Sequence, residues 1–352
     1  MPDPSPLSRR ALLRSAAALS SGSPIIGGRG GEKGVARTAS HLRPRVLVLN
    51  YDPIIESKGG KRLNVLLGFN DPRTLCDAYI ADVRACSGGY VRYNVVDWRD
   101  LDIHPVKKDG FRYTDESFLS MWRGDRSKHH EPDAIDYKAI IGQFDIERRV
   151  EAGDVDEVWL FSPPFSGTWE STMAGKGAYF CNSDPVPGVN TSRIFVIMGF
   201  NPERGVGEML EDLGHRTESI LRRVYGSWND KELKHAWDRF TAIDKNVPGR
   251  SGVGNVHFAP NSTKDYEWGN KTYVLSGADD WLNYPKLTGK KRRMNASDWG
   301  NGDIRAHHRW WLERLPKAPG RGPDGKLANW WSYVVDFNRY KESDGSQNAK
   351  PR

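Results

Sequence analysis

The pattern of apolar and polar residues predicts short buried strands that alternate with helices. Four segments have the apolar character of strands: 45–50, 90–96, 155–161 and 194–198. Four others carry apolar residues at three- and four-residue steps, as helices do: 71–86, 136–152, 206–224 and 231–243. The intervening segments 99–134 and 163–188 are rich in charge or in Gly and Pro, and we predict loops there. This order is typical of an α/β fold, a mostly parallel sheet with helices on both faces.

The composition changes in the C-terminal part of the chain. Nine of the 13 tryptophans follow residue 225, among many Gly, Asn and Asp residues. A helix is predicted at 307–315, and an aromatic strand or short helix at 329–337. We therefore predict an α/β sheet domain at 45–245, a Trp-rich, loop-rich extension packed on it at 246–340, and a polar, disordered tail at 341–352. Most of these tryptophans should fill the core of the extension, although exposed indoles would suit sugar binding.

The first 44 residues have the composition of a targeting segment. They hold seven Lys and Arg residues against two acids. The run Ser8–Arg14, reading SRRALLR, is followed by a weakly apolar stretch of Ser, Ala and Leu, and it resembles a bacterial twin-arginine signal peptide. The resemblance implies transport by the twin-arginine export machinery and a secreted or periplasmic location. An organellar transit peptide and a plain disordered tail are the alternatives for 1–44.

The charge distribution argues against nucleic acid as a partner. The net charge is +7, but +5 of it lies in residues 1–44, and the remainder has 45 basic and 43 acidic residues. A nearly neutral body lacks the basic surface of a nucleic-acid binder. The sequence contains no run of 18 apolar residues, so we predict no membrane span.

The three cysteines do not form a metal-binding pattern. Cys76 and Cys86 are ten residues apart in one predicted helix, too far to bond to each other, so at most one could bridge to Cys181.

Carboxylates are predicted near the carboxyl ends of the strands, where parallel sheets place functional groups. Asp52 follows the first strand, Glu170 lies in the loop after the third, and Glu203 follows the fourth. With His215 they are the candidate catalytic residues, because a pair of carboxylates can hydrolyse a glycosidic bond. The candidate substrate-binding residues are an anion clamp and three further side chains: Arg204, Asn201, Trp169 and Trp310. Glu203 and Arg204 could equally form a structural ion pair.

A second constellation predicts a metal site on the helix that follows residue 205. Glu211, His215 and Glu218 recur at four- and three-residue steps, which places them on one helix face. His257 could supply a further ligand, and the set suits a divalent metal such as zinc. The alternative is a solvated charged face with ordinary Glu–Arg pairing. Gly214 within this helix indicates that a neighbouring segment needs space there.

Three functions are compatible with these patterns. The first is an exported hydrolase that acts on an extracellular polymer or glycan by carboxylate acid/base chemistry. The second is a zinc-dependent hydrolase that uses the four metal candidates. The third is a non-catalytic secreted glycan-binding protein. The sequence contains no G-x-S-x-G elbow, no P-loop and no glycine-rich dinucleotide turn after the first strand.

Overall fold

A five-stranded sheet organises the protein, whose computed structural model describes residues 41–228 and 230–340. The strands are β1 (Arg45–Tyr51), β2 (Ile54–Ile55), β3 (Lys61–Arg62), β4 (Asn94–Leu101), β5 (Glu157–Phe161), β6 (Ser171–Ala174), β7 (Phe195–Phe200), β8 (Val274–Ser276), β9 (Arg292–Met294), β10 (Lys317–Arg321) and β11 (Leu327–Asn329). The helices are α1 (Leu63–Leu67), α2 (Pro72–Cys86), α3 (Asp115–Arg123), α4 (Tyr137–Gln143), α5 (Ile146–Glu151), α6 (Val206–Tyr225), α7 (Ala236–Thr241), α8 (Ile304–Glu313) and α9 (Trp330–Val335). In the described part of the chain, no helix is long and apolar enough to cross a bilayer.

The large sheet has the strand order β4-β1-β5-β7-β6. Strands β4, β1, β5 and β7 are parallel, and β6 runs antiparallel to β7 at one edge. The chain leaves β1 for β4 on one side and then returns across β1 to β5 on the other. The predicted α/β fold with a mostly parallel sheet is confirmed, and its topological switch point lies between the carboxyl ends of β1 and β5.

Helices cover both faces of the sheet. Successive residues of a strand point to opposite faces, and in the central strands the residues on both faces are apolar. Val46 and Val48 of β1 face the larger core, which contains the apolar sides of α2, α6 and the C-terminal helices. Leu47 and Leu49 face a second core built on α4 and α5. Eight of the nine tryptophans after residue 225 are buried, and several of them pack in the same core as β1.

An ion pair fixes α6 to the sheet from within this core. Both terminal guanidinium nitrogens of Arg216 donate to Glu157 of β5, at 2.9 and 2.7 Å, and both residues are almost fully buried. Tyr93 and the indole N–H of Trp159 also donate to the Glu157 carboxylate. The next residue toward the N-terminus of α6, His215, therefore has a rigid support.

Several predicted element boundaries are wrong. The predicted loop 99–134 contains α3, whose start is fixed by a capping box between Thr114 and Ser117. The loop 163–188 contains β6, which forms because its four residues are buried against β7. The helix at 136–152 is two helices, because Asp145 between them has a left-handed φ of 52°.

The remaining differences concern how far each element extends. The second long strand is Asn94–Leu101, since it pairs with β1 only from Asn94 onward, and not 90–96. The helix predicted at 231–243 is confined to α7, where Asp238 accepts the backbone N–H of His235 at its start. The helix predicted at 307–315 begins three residues earlier, at Ile304, after the cap residue Asp303. The segment 329–337 forms the short helix α9.

Cys76, Cys86 and Cys181 are buried free thiols, so neither helix cysteine bridges to Cys181. Of the predicted leader only residues 41–44 are described, and the predicted tail lies outside the described residues.

Candidate metal centre

Helix α6 places two candidate ligands on one face. Glu211 and His215 are separated by four residues, so their side chains lie one turn apart on the same side of the helix. The turn before the helix is closed by Glu208, whose carboxylate accepts the backbone N–H of Gly205 at 3.0 Å. The helix also buries its apolar side against the sheet, and this packing fixes the orientation of the ligand face.

The third candidate ligand comes from a tight turn after α7. The side-chain oxygen of Asn255 accepts the backbone N–H groups of His257 and Phe258, at 3.1 and 3.0 Å. Val256 then packs directly on Gly214 of α6, where an added Cβ would lie 2.5 Å from a Val256 methyl carbon. A glycine at this point lets the turn approach the helix closely enough for His257 to reach His215.

The three side chains converge on one point. The Nε2 atoms of His215 and His257 are 3.0 Å apart, and Glu211 Oε1 lies 3.1 Å from His257 Nε2 and 3.9 Å from His215 Nε2. All three ligand atoms lie within 4.8 Å of one another. Ligands bound tetrahedrally at about 2.0–2.1 Å from zinc would be separated by about 3.3 Å. The observed spacing is therefore close to that of a preformed metal site.

Two further carboxylates orient the imidazole rings. Glu218 lies 3.0 Å from Nδ1 of His215, and Asp265 lies 3.1 Å from Nδ1 of His257. Because a carboxylate only accepts hydrogen bonds, each Nδ1 carries the proton and each Nε2 of a neutral ring presents a lone pair. Two lone pairs that face each other repel unless a proton or a cation lies between them. Histidine ligands of metals commonly have this outer carboxylate partner.

The electrostatics favour a positive charge at the same point. Burial opposes protonation of His215, but Glu211 and Glu218 outweigh it and raise the pKa of His215 to about 11. Burial likewise opposes protonation of His257, and Glu211 outweighs it, so this pKa is also raised. Burial would raise the pKa of Glu211, but its hydrogen bonds with the two histidines lower it below its usual range. A divalent cation could replace the imidazole protons in this field.

The centre is open on the side of Glu170. This side chain is 43% exposed, and its Oε2 lies 3.8 Å from Nε2 of His215. The amide of Asn182 donates to the same carboxylate oxygen and holds it in place. Trp169 is 54% exposed beside it and is anchored by its backbone N–H, which donates to the hydroxyl of Tyr137 at 2.7 Å. Glu170 is thus a carboxylate held near the metal position and accessible to solvent.

Other residues that the sequence indicates lie apart from these contacts. Glu203 and Arg204 are exposed, and Asn201 accepts the backbone N–H of Glu203 at 3.0 Å. Asp52 is buried at the end of β1, where it accepts the backbone N–H of Asn64 at 3.0 Å.

The described side-chain contacts of Glu211, His215 and His257 include Glu170 but neither Glu203 nor Asp52. Trp310 is 7% exposed between Trp299 and the guanidinium of Arg314, so it presents no open indole face.

The structure also adds residues that the sequence patterns did not indicate. Asp265 and Tyr266 lie in the loop after His257, and Asn182 lies in the loop after β6. Their spacing from the ligands is irregular, so no periodicity could identify them. No protein-family model matches the chain, and a search of the curated proteins finds no relative.

Proposed function

We propose that the protein is a metal-dependent hydrolase, with zinc bound by Glu211, His215 and His257. The observation that supports this proposal is the convergence of two imidazole Nε2 atoms and one carboxylate oxygen, with both Nδ1 atoms held by outer carboxylates. Two histidines and one glutamate form a ligand set known from catalytic zinc sites, in which the fourth position holds water. Glu218 belongs to the outer partners in this arrangement, because it contacts Nδ1 of His215 and not the convergent Nε2.

Glu170 has the position that a general base requires. Its carboxylate lies near the convergent nitrogen of His215 on the open side of the centre. A bound metal lowers the pKa of its water, and a nearby carboxylate can accept the proton as that water attacks. Two residues of the sequence-based hypotheses, Glu170 and His215, thus act together, whereas exposed Glu203 has no assigned part in this mechanism.

The charge around the centre favours a neutral substrate. Four carboxylates surround the metal position, and their combined negative charge exceeds the positive charge of one divalent cation: Glu170, Glu211, Glu218 and Asp265. This excess of negative charge would repel phosphate and sulfate esters. A metal also polarises a carbonyl oxygen directly. We therefore propose an amide or ester bond as the target, within an extracellular polymer or a smaller substrate if the predicted leader exports the protein.

The first experiment measures metal content. The purified full chain should contain one zinc ion per molecule by mass spectrometry of the metals, and His215→Ala and His257→Ala should each lose it. His130→Ala is the matched control, because His130 is also paired with a carboxylate, Asp109 at 2.7 Å, outside this cluster. Absence of metal after zinc loading would overturn the proposed centre.

The second experiment measures turnover. A panel of chromogenic esters and peptide amides should be hydrolysed by the zinc-loaded protein, and a chelator should abolish the activity. Glu170→Gln should retain the metal and lose at least about 100-fold in kcat, since general-base catalysis contributes about 10²–10⁴-fold. A protein that contains iron and consumes oxygen, without hydrolysing any of these substrates, would refute this function. Such a result is a real alternative because a site of two histidines and one carboxylate also suits iron oxygenases.

A further inference from the structure

Tyr266 places its hydroxyl against the ligand cluster. The hydroxyl oxygen lies 3.0 Å from His257 Nε2, the same atom that lies 3.0 Å from His215 Nε2 and 3.1 Å from Glu211 Oε1. The phenol ring packs on the His257 imidazole, with centroids 4.3 Å apart, and meets the edge of Trp268 at 5.2 Å. The tyrosine oxygen is therefore a fourth polar atom at the point where the three proposed ligands meet.

The backbone of Tyr266 is constrained to reach this position. Its φ is +57°, in the left-handed region that residues other than Gly, Asn and Asp seldom adopt. The backbone N–H of Tyr266 donates to the carbonyl oxygen of His257 at 3.1 Å and closes the loop between them. Strained conformations of this kind persist where the surrounding structure imposes them, and they concentrate at functional sites.

Exposure distinguishes Tyr266 from the other three residues. Tyr266 is 52% exposed, whereas Glu211 is buried and both histidines are largely shielded from solvent. About half of the tyrosine surface stays exposed, so the packing of its ring on His257 and Trp268 is only part of the reason for the left-handed backbone. A bond from its oxygen to a cation would explain both the conformation and the position.

We propose that Tyr266 is the fourth protein ligand of the metal and that water or substrate displaces it on the open side. This inference rests on the proposed metal centre. Binding forms a metal–oxygen bond, breaks the phenol O–H bond and releases the proton to water. Displacement breaks the metal–oxygen bond again, and the phenolate takes a proton back from water. The three less exposed ligands then hold the cation permanently, while the tyrosine occupies the fourth position between turnovers.

Copper gives a direct test, because Cu²⁺ bound to a tyrosine phenolate has a visible charge-transfer band and tyrosinate vibrations in resonance Raman spectra. The metal-free full chain is loaded with an equimolar amount of Cu²⁺. Wild type should show both signals, and Tyr266→Phe should bind copper without them. Tyr273→Phe is the matched control, since Tyr273 is 51% exposed and contacts Arg293 elsewhere in the extension. We also expect Tyr266→Phe to weaken zinc binding at least about tenfold.

The outcomes separate this inference from the proposed function. Copper bound by wild type without tyrosinate signals would overturn the role of Tyr266 and leave the three-ligand centre intact. The same spectrum in wild type and Tyr266→Phe would also overturn it. Failure of every variant to bind copper or zinc would overturn both proposals.

Discussion

Replacement of Glu218 by Gln tests whether an outer carboxylate prepares His215 to bind metal. The two oxygens of Glu218 have separate tasks: Oε2 faces Nδ1 of His215 at 3.0 Å, and Oε1 accepts the backbone N–H of Val256 at 2.9 Å. Glutamine has the same shape but offers one oxygen and one NH₂ group. It can satisfy only one of these donors, because the NH₂ group placed opposite the other is itself a donor.

Either orientation of the glutamine weakens the centre. If the NH₂ group faces His215, Nδ1 must accept a hydrogen bond, the proton moves to Nε2, and that nitrogen cannot bind the metal. If the NH₂ group faces Val256, the turn that carries His257 loses its hydrogen bond to α6. Loss of an outer partner of a metal-binding histidine typically lowers metal affinity 10–100-fold, which is about 1.4–2.7 kcal/mol.

The affinity is measured by competition for zinc with a fluorescent chelator, on metal-free protein. Glu203→Gln is the control, because it removes an exposed carboxylate just before the same helix and should leave the zinc Kd unchanged. Thermal unfolding without metal shows whether Glu218→Gln is still folded. A folded Glu218→Gln protein whose zinc Kd is within twofold of wild type would refute the assignment of Glu218 as an orienting residue.

Three further predictions concern stability. Arg216→Met should lower the free energy of unfolding in urea by about 3–5 kcal/mol, because it leaves the buried Glu157 carboxylate unpaired, and adding Glu157→Leu should recover part of that loss. Burial lowers the pKa of His104 to about 4, against 6.5 for a free histidine. The unfolded chain therefore binds this proton first, so the contribution of His104 to stability is complete above about pH 6.5 and is lost as the pH falls toward 4. His104→Phe should reduce that acid destabilisation, by up to about 3 kcal/mol in pH-dependent urea titrations, and an unchanged pH profile would contradict the assignment. Gly214→Ala should lower the free energy of unfolding by about 1–3 kcal/mol and weaken zinc binding, because the new methyl group pushes away the turn that carries His257. Gly142→Ala is the control: the space around Gly142 is open, so this substitution should leave the free energy of unfolding unchanged or raise it.

The sequence alone determined the three central strands of the sheet and one side of the candidate centre. The apolar runs that form β1, β5 and β7 were predicted because a strand buried on both faces needs consecutive apolar residues. Glu211 and His215 share one face of the helix because residues four positions apart lie one turn apart on the same side. The role of Gly214 was predicted in part, since a glycine inside a helix indicates a close neighbour.

Only the tertiary structure decided which distant residues meet these two side chains. The approach of His257 depends on the packing of Val256 against Gly214, and the positions of Glu170 and Tyr266 depend on loops with irregular spacing. The contacts of His215 with His257 and Glu170 join segments more than 40 residues apart, and periodicity describes only neighbours along one element. For the same reason the sequence could not separate Glu203 from the cluster: it lies in the turn just before the same helix but is exposed to solvent.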